Sequence, residues 1–72
     1  MKKTINFISL IGSNKIIVDK ELEEHNFTLE AFQNYGEYSY GVYTLNSIVV
    51  RTLNIKFRHT DSGEFVDTII IG

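Results

Sequence analysis

In the segment 48–59, residues 52–58 alternate strictly between polar and apolar side chains, which is the clearest pattern in the chain. In an extended strand the apolar positions share one face and the polar positions share the other. The apolar positions are Val49, Leu53, Ile55 and Phe57, and the polar positions are Thr52, Asn54, Lys56 and Arg58. This pattern predicts a long strand with one face in a core and the other face outside it.

A hairpin is predicted directly after this strand, because the sequence TDSG at 60–63 supplies turn geometry. With all four residues in the loop, Lys56 lies opposite Asp67 and Leu53 lies opposite Ile70. Opposite charges then meet on one face and apolar side chains meet on the other, which supports this register.

The first third of the chain also reads as β-structure. Residues 4–11 mix apolar and polar positions with β-branched residues, and they predict a first strand. The sequence GSN at 12–14 is a turn signal, and KIIV at 15–18 is predicted to be the return strand of a hairpin.

A helix is predicted over residues 20–35, because the carboxylate of Asp19 can accept the free amide protons of a first helical turn. Two apolar stripes run along this segment. One stripe consists of Leu22, Leu29 and Phe32, and the other of Phe27, Ala31 and Tyr35. Either one continuous helix is covered on two sides, or the helix breaks near Asn26 and a second short helix follows.

A further strand is predicted at 37–45, followed by a turn at 46–47. The predicted order is therefore β-β-α-β-β-β in a single small domain, residues 1–72. We expect an α+β fold in which a small antiparallel sheet of about five strands packs against one helix or broken helix. A partly closed barrel is an alternative arrangement of the same strands.

The chain length limits what this fold can hold. With 72 residues it buries only about 60% of the surface that its unfolded form exposes. It contains no cysteine, so neither disulfide bonds nor thiolate zinc sites reinforce it. A chain of this length is too short to form both a sufficient hydrophobic core and a buried active-site cavity. We therefore expect no catalytic residues and no enzymatic activity.

Metal and cofactor chemistry has little support in the sequence. His25 and Glu21 are four residues apart and would share a helix face, as two metal ligands do, but no second pair of this kind accompanies them. The glycines at 36 and 41 form neither a dinucleotide-binding nor a phosphate-binding loop. The sequence predicts no metal and no cofactor.

The sequence MKKTINFISLIG at 1–12 has two lysines before an apolar stretch, as a signal peptide does. Asn6 and Ser9 interrupt that stretch, and no small-residue cleavage site follows. No apolar run is long enough to span a bilayer. Together with the absence of cysteine, these features predict a cytoplasmic protein without a membrane partner.

Negative charge and tyrosine are concentrated in the middle of the chain. Residues 21–50 contain five glutamates, all four tyrosines, and no lysine or arginine. Tyrosine joins a large contact area to a polar tip at low entropic cost, and it is common in protein interfaces. We therefore predict a partner-binding surface in this block. Its residues are Glu23, Glu24, Tyr35, Glu37, Tyr38, Tyr40 and Tyr43.

The alternation of the strand at 37–45 divides these tyrosines. Tyr38 and Tyr40 share one face, whereas Ser39 and Tyr43 share the other. A single sheet has only one core, so either the helix covers one face and a partner the other, or the phenol groups reach water at the rim. The simpler alternative, without a binding role, is that two tyrosines pack in the core and two are exposed on the surface.

The predicted function is that of a small non-enzymatic protein-binding module, an inhibitor or modulator of the kind that phages and mobile elements encode. Carboxylates on its surface would occupy a basic, nucleic-acid-handling site on the partner and would speed association by electrostatic steering.

Two other functions are compatible with the sequence. The apolar segment Thr68–Ile71 would lead to self-association if it formed a sheet edge, because nothing in it blunts pairing with a second copy. Alternatively, aromatic side chains on strands would stack the bases of a single-stranded nucleic acid. The positive charges nearest to these aromatic side chains are Arg51, Lys56 and Arg58 on the next strand.

The segments YSYGVYTLNSI and TLNIKFRHTDSGEF resemble parts of phage single-strand annealing proteins of the essential-recombination-function type. Those proteins have a Y-x-Y segment and a later strand that ends in H-x-x-S-G-E. The resemblance covers residues 38–48 and 52–65, and the helix-containing stretch expected between the two pieces is missing here. It therefore assigns no functional residue in this sequence.

Overall fold

The computed structural model describes residues 6–45 and 51–72, which form one helix packed on an antiparallel sheet of four strands. The elements are a 3₁₀ turn at Ile8–Leu10, α1 (Lys15–Glu24), β1 (Phe27–Asn34), β2 (Tyr38–Leu45), β3 (Arg51–Thr60) and β4 (Gly63–Ile71). The strands lie in chain order, with β1 and β4 at the two edges. The α+β prediction is confirmed. The described sheet has four strands in place of the predicted five, and it does not close into a barrel.

The helix starts earlier than the sequence predicted, because Asn14 caps it. Oδ1 of Asn14 accepts a hydrogen bond from the backbone N–H of Ile16 at 2.8 Å. The predicted return strand at 15–18 is therefore wrong, and these residues form the first turn of α1. Val18 and Leu22 lie four residues apart on the same helix face, and both are buried.

The predicted strand at 4–11 is also wrong over the part that the structure describes, and its first two residues lie outside that part. Residues 6–11 contain the 3₁₀ turn. Oδ1 of Asn6 accepts the backbone N–H of Ile8 at 3.1 Å, and Oγ of Ser9 donates to the backbone oxygen of Asn6 at 2.7 Å. Such local side-chain bonds to the backbone compete with strand pairing.

The predicted helix over 20–35 ends at Glu24, so the prediction is wrong for its second half. Asn26 has a φ of 67°, a left-handed conformation that asparagine tolerates better than most residues. The break predicted near Asn26 is therefore present. However, the segment after it is the strand β1, which pairs with β2 along Phe27–Asn34.

The predicted strands in the second half correspond to β2 and β3, while the predicted turn at 46–47 and residues 48–50 lie outside the described residues. The hairpin between β3 and β4 has the predicted register from His59 opposite Glu64 to Phe57 opposite Val66. A bulge at Asp67 then shifts it by one residue, so that Lys56 faces Thr68. The predicted pairs beyond this point are therefore wrong by one position.

The core lies between α1 and one face of the sheet. Its buried apolar side chains are Leu10, Val18, Leu22, Phe27, Tyr43, Leu53, Ile55, Phe57 and Val66. Among the described elements, none packs on the opposite face of the sheet, where Tyr40, Asn54 and Arg58 are exposed. That uncovered face is called the open face below. No helix of the described part has the length and apolar character that crossing a membrane requires.

Candidate functional site

A tight turn with Gly36 and Glu37 at its tip joins β1 to β2, and Tyr35 lies directly before it. The backbone N–H of Tyr35 donates to the oxygen of Tyr38 at 2.7 Å, and Oδ1 of Asn34 accepts the N–H of Gly36 at 2.8 Å. Gly36 has a φ of 90°, a conformation that glycine adopts without steric cost. Gly36 thus lies in the hairpin turn that connects β1 to β2.

The turn brings two tyrosines together at one end of the open face. The rings of Tyr35 and Tyr40 have centroids 5.6 Å apart and planes at 74°, an edge-to-face arrangement. Tyr35 is 63% exposed and Tyr40 is 42% exposed. The hydroxyl of Tyr35 also donates to the side-chain oxygen of Gln33. Two large rings are thus held at the surface in a defined orientation.

Two basic side chains lie next to the ring of Tyr38 on the same face, and an acidic residue partly compensates their charge. Nζ of Lys56 lies 4.1 Å from the ring centre of Tyr38, and the guanidinium of Arg58 lies 6.0 Å from it. Both cations also face Asp67, Arg58 at 3.3 Å and Lys56 at 4.0 Å. The name tyrosine face is used below for Tyr35, Tyr38, Tyr40, Lys56 and Arg58.

Tyr43 points to the other side of β2 and belongs to the core, with only 2% of its surface exposed. Its hydroxyl donates to Oδ1 of Asp19, and Oδ2 of the same carboxylate accepts a hydrogen bond from Nζ of Lys15 at 2.6 Å. Lys15 in turn lies over the ring of Phe32, 4.9 Å from its centre. Burial, together with the hydrogen bond to negatively charged Asp19, raises the pKa of the Tyr43 phenol above its ordinary value.

This raised pKa predicts a loss of stability at alkaline pH. Below about pH 10 the phenol of Tyr43 is protonated in both the folded and the unfolded chain, so its contribution to stability is complete. Above that pH the unfolded chain releases the proton and the folded chain keeps it. The free energy of unfolding should therefore fall by about 1.4 kcal/mol per pH unit. Urea denaturation between pH 9 and 11.5 measures this slope.

The control for the alkaline slope is Tyr43→Phe, which keeps the ring and removes the ionisable group. All other ionisable groups are common to the two proteins, so the difference between the two curves isolates Tyr43. Parallel curves for the wild type and Tyr43→Phe over this range would contradict the prediction.

A groove of about 400 Å³ opens between α1 and the first half of β1. It is called the α1–β1 groove and is lined by Asp19, Leu22, Glu23, Phe27, Thr28, Leu29 and Tyr43. The helix supplies its two carboxylates, and both elements supply its apolar walls. The sequence did not predict this groove. The groove exists only because residues 27–34 form the strand β1, and these residues were predicted to be helical.

A second polar cluster joins Ser39, His59 and Glu64. Oγ of Ser39 lies 2.9 Å from Nε2 of His59, and Oε2 of Glu64 lies 3.2 Å from the same nitrogen. In a catalytic serine–histidine–carboxylate triad, the serine and the carboxylate hold opposite ring nitrogens. Here both contact Nε2, and Ser39 has no exposed surface. The cluster ties β2, β3 and β4 together and lacks the geometry of an activated nucleophile.

The structure separates the seven predicted partner-binding residues. Glu23 and Glu24 are exposed on α1, which covers the opposite side of the sheet from the open face. Tyr35 and Glu37 lie in the hairpin turn, next to Tyr38 and Tyr40. Tyr43 is buried, and it meets Glu23 at the α1–β1 groove. The acidic block of the sequence is therefore not one surface in space.

The segment Thr68–Ile71, predicted to support self-association, lies at the end of the edge strand β4. Ile70 and Ile71 are 61% and 54% exposed. Part of the β4 edge is covered, because Val66 exchanges backbone hydrogen bonds with Gly12 and Ser13, each at 2.9 Å.

Within residues 6–45 and 51–72, no three His, Asp or Glu side chains come together closely enough to hold a metal ion. The chain was also compared with known proteins. Neither the protein-family models, nor the curated proteins, nor the solved structures contain a significant match to it.

Proposed function

We propose that this protein is a small non-enzymatic binding module that recognises another protein through its tyrosine face. The observation that carries this proposal is the exposed edge-to-face pair of Tyr35 and Tyr40 on a sheet face that no other described element covers. By occupying a site on its partner, such a module acts as an inhibitor or modulator.

The geometry of the pair suits protein recognition for two reasons. A tyrosine has few rotatable bonds, so fixing it in an interface costs little entropy while it contributes a large contact area. In this hairpin the turn and the hydrogen bond from Tyr35 to Gln33 orient the rings before binding, so little further side-chain entropy is lost when the interface forms. Preorganised aromatic side chains of this kind often dominate the energy of an interface.

Charge favours a protein partner over a nucleic acid at this face. Tyr38 and Tyr40 lie beside Lys56 and Arg58, an arrangement that could stack bases and bind phosphates. However, Asp67 pairs with both cations. Affinity for nucleic acid comes largely from cations that are free to neutralise phosphates, so this patch is poorly suited to it.

The double substitution Tyr35→Ser and Tyr40→Ser should reduce partner capture by at least about tenfold, because it removes both aromatic contacts. The protein is immobilised, incubated with nuclease-treated extract of its native host, and the bound proteins are quantified by mass spectrometry. Both tyrosines lie outside the core, so thermal unfolding of the variant should stay close to that of the wild type.

The matched control is Asn54→Ser, an exposed change on the open face that leaves all three of its tyrosines in place. Equal capture by the double variant and the wild type would refute the proposal. So would capture that is seen only when the nuclease treatment is omitted, which would favour the single-strand binder. Recovery of only further copies of this chain would favour self-association through Thr68–Ile71.

A further inference from the structure

In the part of the chain that the structure describes, the outer side of the edge strand β1 is unpaired. The strand pairs with β2, and no other segment within residues 6–45 or 51–72 forms backbone hydrogen bonds with its outer edge. An uncovered strand edge presents unpaired N–H and C=O groups to which another extended chain can add. The β4 edge differs, because Gly12 and Ser13 already bond to Val66.

The pairing pattern shows which groups of β1 face outward. The bond from Tyr35 to Tyr38 marks a hydrogen-bonded pair, and such pairs alternate along an antiparallel ladder. By this alternation, and allowing for the bulge next to Leu29, the backbone groups of Phe32 and Leu29 point away from β2. The side chains of these two residues are 38% and 42% exposed.

The α1–β1 groove lies beside this edge, and its lining suits one kind of side chain. Leu22, Phe27 and Leu29 provide its apolar walls, and Asp19 and Glu23 provide carboxylates. Asp19 already bonds to Lys15 and Tyr43, so Glu23 is the carboxylate that would pair with an incoming cation. Within residues 6–45 and 51–72, no lysine or arginine lines the groove itself, and the nearest cation is Lys15, which pairs with Asp19 at 2.6 Å. Lysine and arginine are the side chains that combine a long apolar stem with a cationic head. The groove therefore complements a basic side chain that enters from the edge of the sheet.

We propose that the β1 edge and the α1–β1 groove together bind an extended segment of another protein, which adds to the sheet next to β1 and inserts an arginine or lysine into the groove. The backbone of the segment bonds to the outward groups of Leu29 and Phe32. Its basic side chain lies along Leu29, the most exposed apolar residue of the groove, and reaches Glu23. Strand addition supplies affinity, and the groove supplies specificity.

A second copy of this chain fits the site less well. β1 contains Glu30 and no lysine or arginine. Antiparallel pairing of two β1 strands would bring acidic residues together and leave the groove without a cation, which is unfavourable for like charges. The partner segment therefore comes from another protein with a basic residue in an extended stretch.

The test uses a capped heptapeptide, Thr-Val-Thr-Arg-Thr-Val-Thr, titrated into the full-length ¹⁵N-labelled protein. Its alternation puts Val, Arg and Val on the groove side. We expect saturable shifts of the backbone amides of Phe27, Leu29 and Phe32. Replacing Arg by the neutral isostere citrulline should weaken binding by about tenfold or more, because the charge pair is lost.

Matched changes in both molecules sharpen the result. Glu23→Gln should weaken binding of the Arg peptide, whereas Glu24→Gln, on the same helix but outside the groove, should not. N-methylation of the Arg amide, which faces β1 in this register, should abolish binding. N-methylation of a neighbouring Thr, whose amide points away, should leave binding unchanged.

Equal affinity for the Arg and citrulline peptides would overturn the proposal, and so would equal effects of Glu23→Gln and Glu24→Gln. Shifts of the β1 amides with protein concentration alone would show that a second copy fills the edge. Because this site is separate from the tyrosine face, Tyr35→Ser and Tyr40→Ser should leave peptide binding intact. The two proposals can therefore fail independently.

Discussion

Replacing Phe57 by alanine is expected to destabilise the protein by about 3–5 kcal/mol. Phe57 has no exposed surface, and it lies on β3 in the middle of the face that α1 covers. Removing its ring leaves a cavity and takes away a contact of Phe32, whose ring centre lies 6.4 Å from that of Phe57. A chain of this length has a total stability of about 4–11 kcal/mol, so a large share of that stability would be lost.

Chemical denaturation followed by far-ultraviolet circular dichroism measures this effect. The control is Ile16→Ala on α1, where the side chain is 78% exposed and the change should stay within about 0.5 kcal/mol. Similar midpoints for Phe57→Ala and the wild type would show that the core is not centred on this residue.

The second half of the fold was predictable because its signals are local. The alternation along β3 and the turn at 60–63 determine a strand, its buried face and the start of the next strand. The bulge at Asp67 was not predictable in the same way. Asp67 reaches both Lys56 and Arg58 from its bulged position. No pattern within β4 alone shows that one extra residue is accommodated there.

The first half was mispredicted because its structure depends on partners distant in the chain. The sequence KIIV is β-branched and favours a strand by propensity, yet the cap by Asn14 and the burial of Val18 place it in a helix. Residues 27–34 have an apolar spacing compatible with a helix. Pairing with β2 makes them a strand, and propensity within a short segment cannot anticipate such pairing.

The candidate site was predictable in part for the same reason. Strand alternation correctly separated Tyr38 and Tyr40 from Tyr43. The glutamates are close together in the sequence, but this did not predict where they lie in space. Some belong to α1 and Glu37 belongs to the β1–β2 hairpin, and these two elements lie at different places in the fold. The two binding proposals reflect this separation. The tyrosines belong to the open face, and the carboxylates belong to the helix side of the β1 edge.

Replacing Gly41 by valine is expected to cost about 3 kcal/mol, at the upper end of the usual range for overpacking a core. Gly41 is buried on the same face of β2 as Tyr43, two residues away, and the Tyr43 ring lies against it. A Cβ at position 41 would be 2.8 Å from Cε1 of Tyr43. The ring cannot move aside easily, because it is buried and its hydroxyl is bonded to Asp19.

This explains why a glycine stands inside a central strand, where it normally weakens the sheet. The matched control is Ala31→Val on the neighbouring strand, an exposed position opposite Val42, where the same side chain should be neutral or slightly stabilising. Urea denaturation of both variants measures the difference.

A double-mutant cycle then assigns the cost of Gly41→Val to the ring of Tyr43. In a Tyr43→Val background the added side chain has room, so Gly41→Val should cost much less than in the wild type. An equal cost in both backgrounds would mean that the strain arises from the β2 backbone and not from contact with the ring.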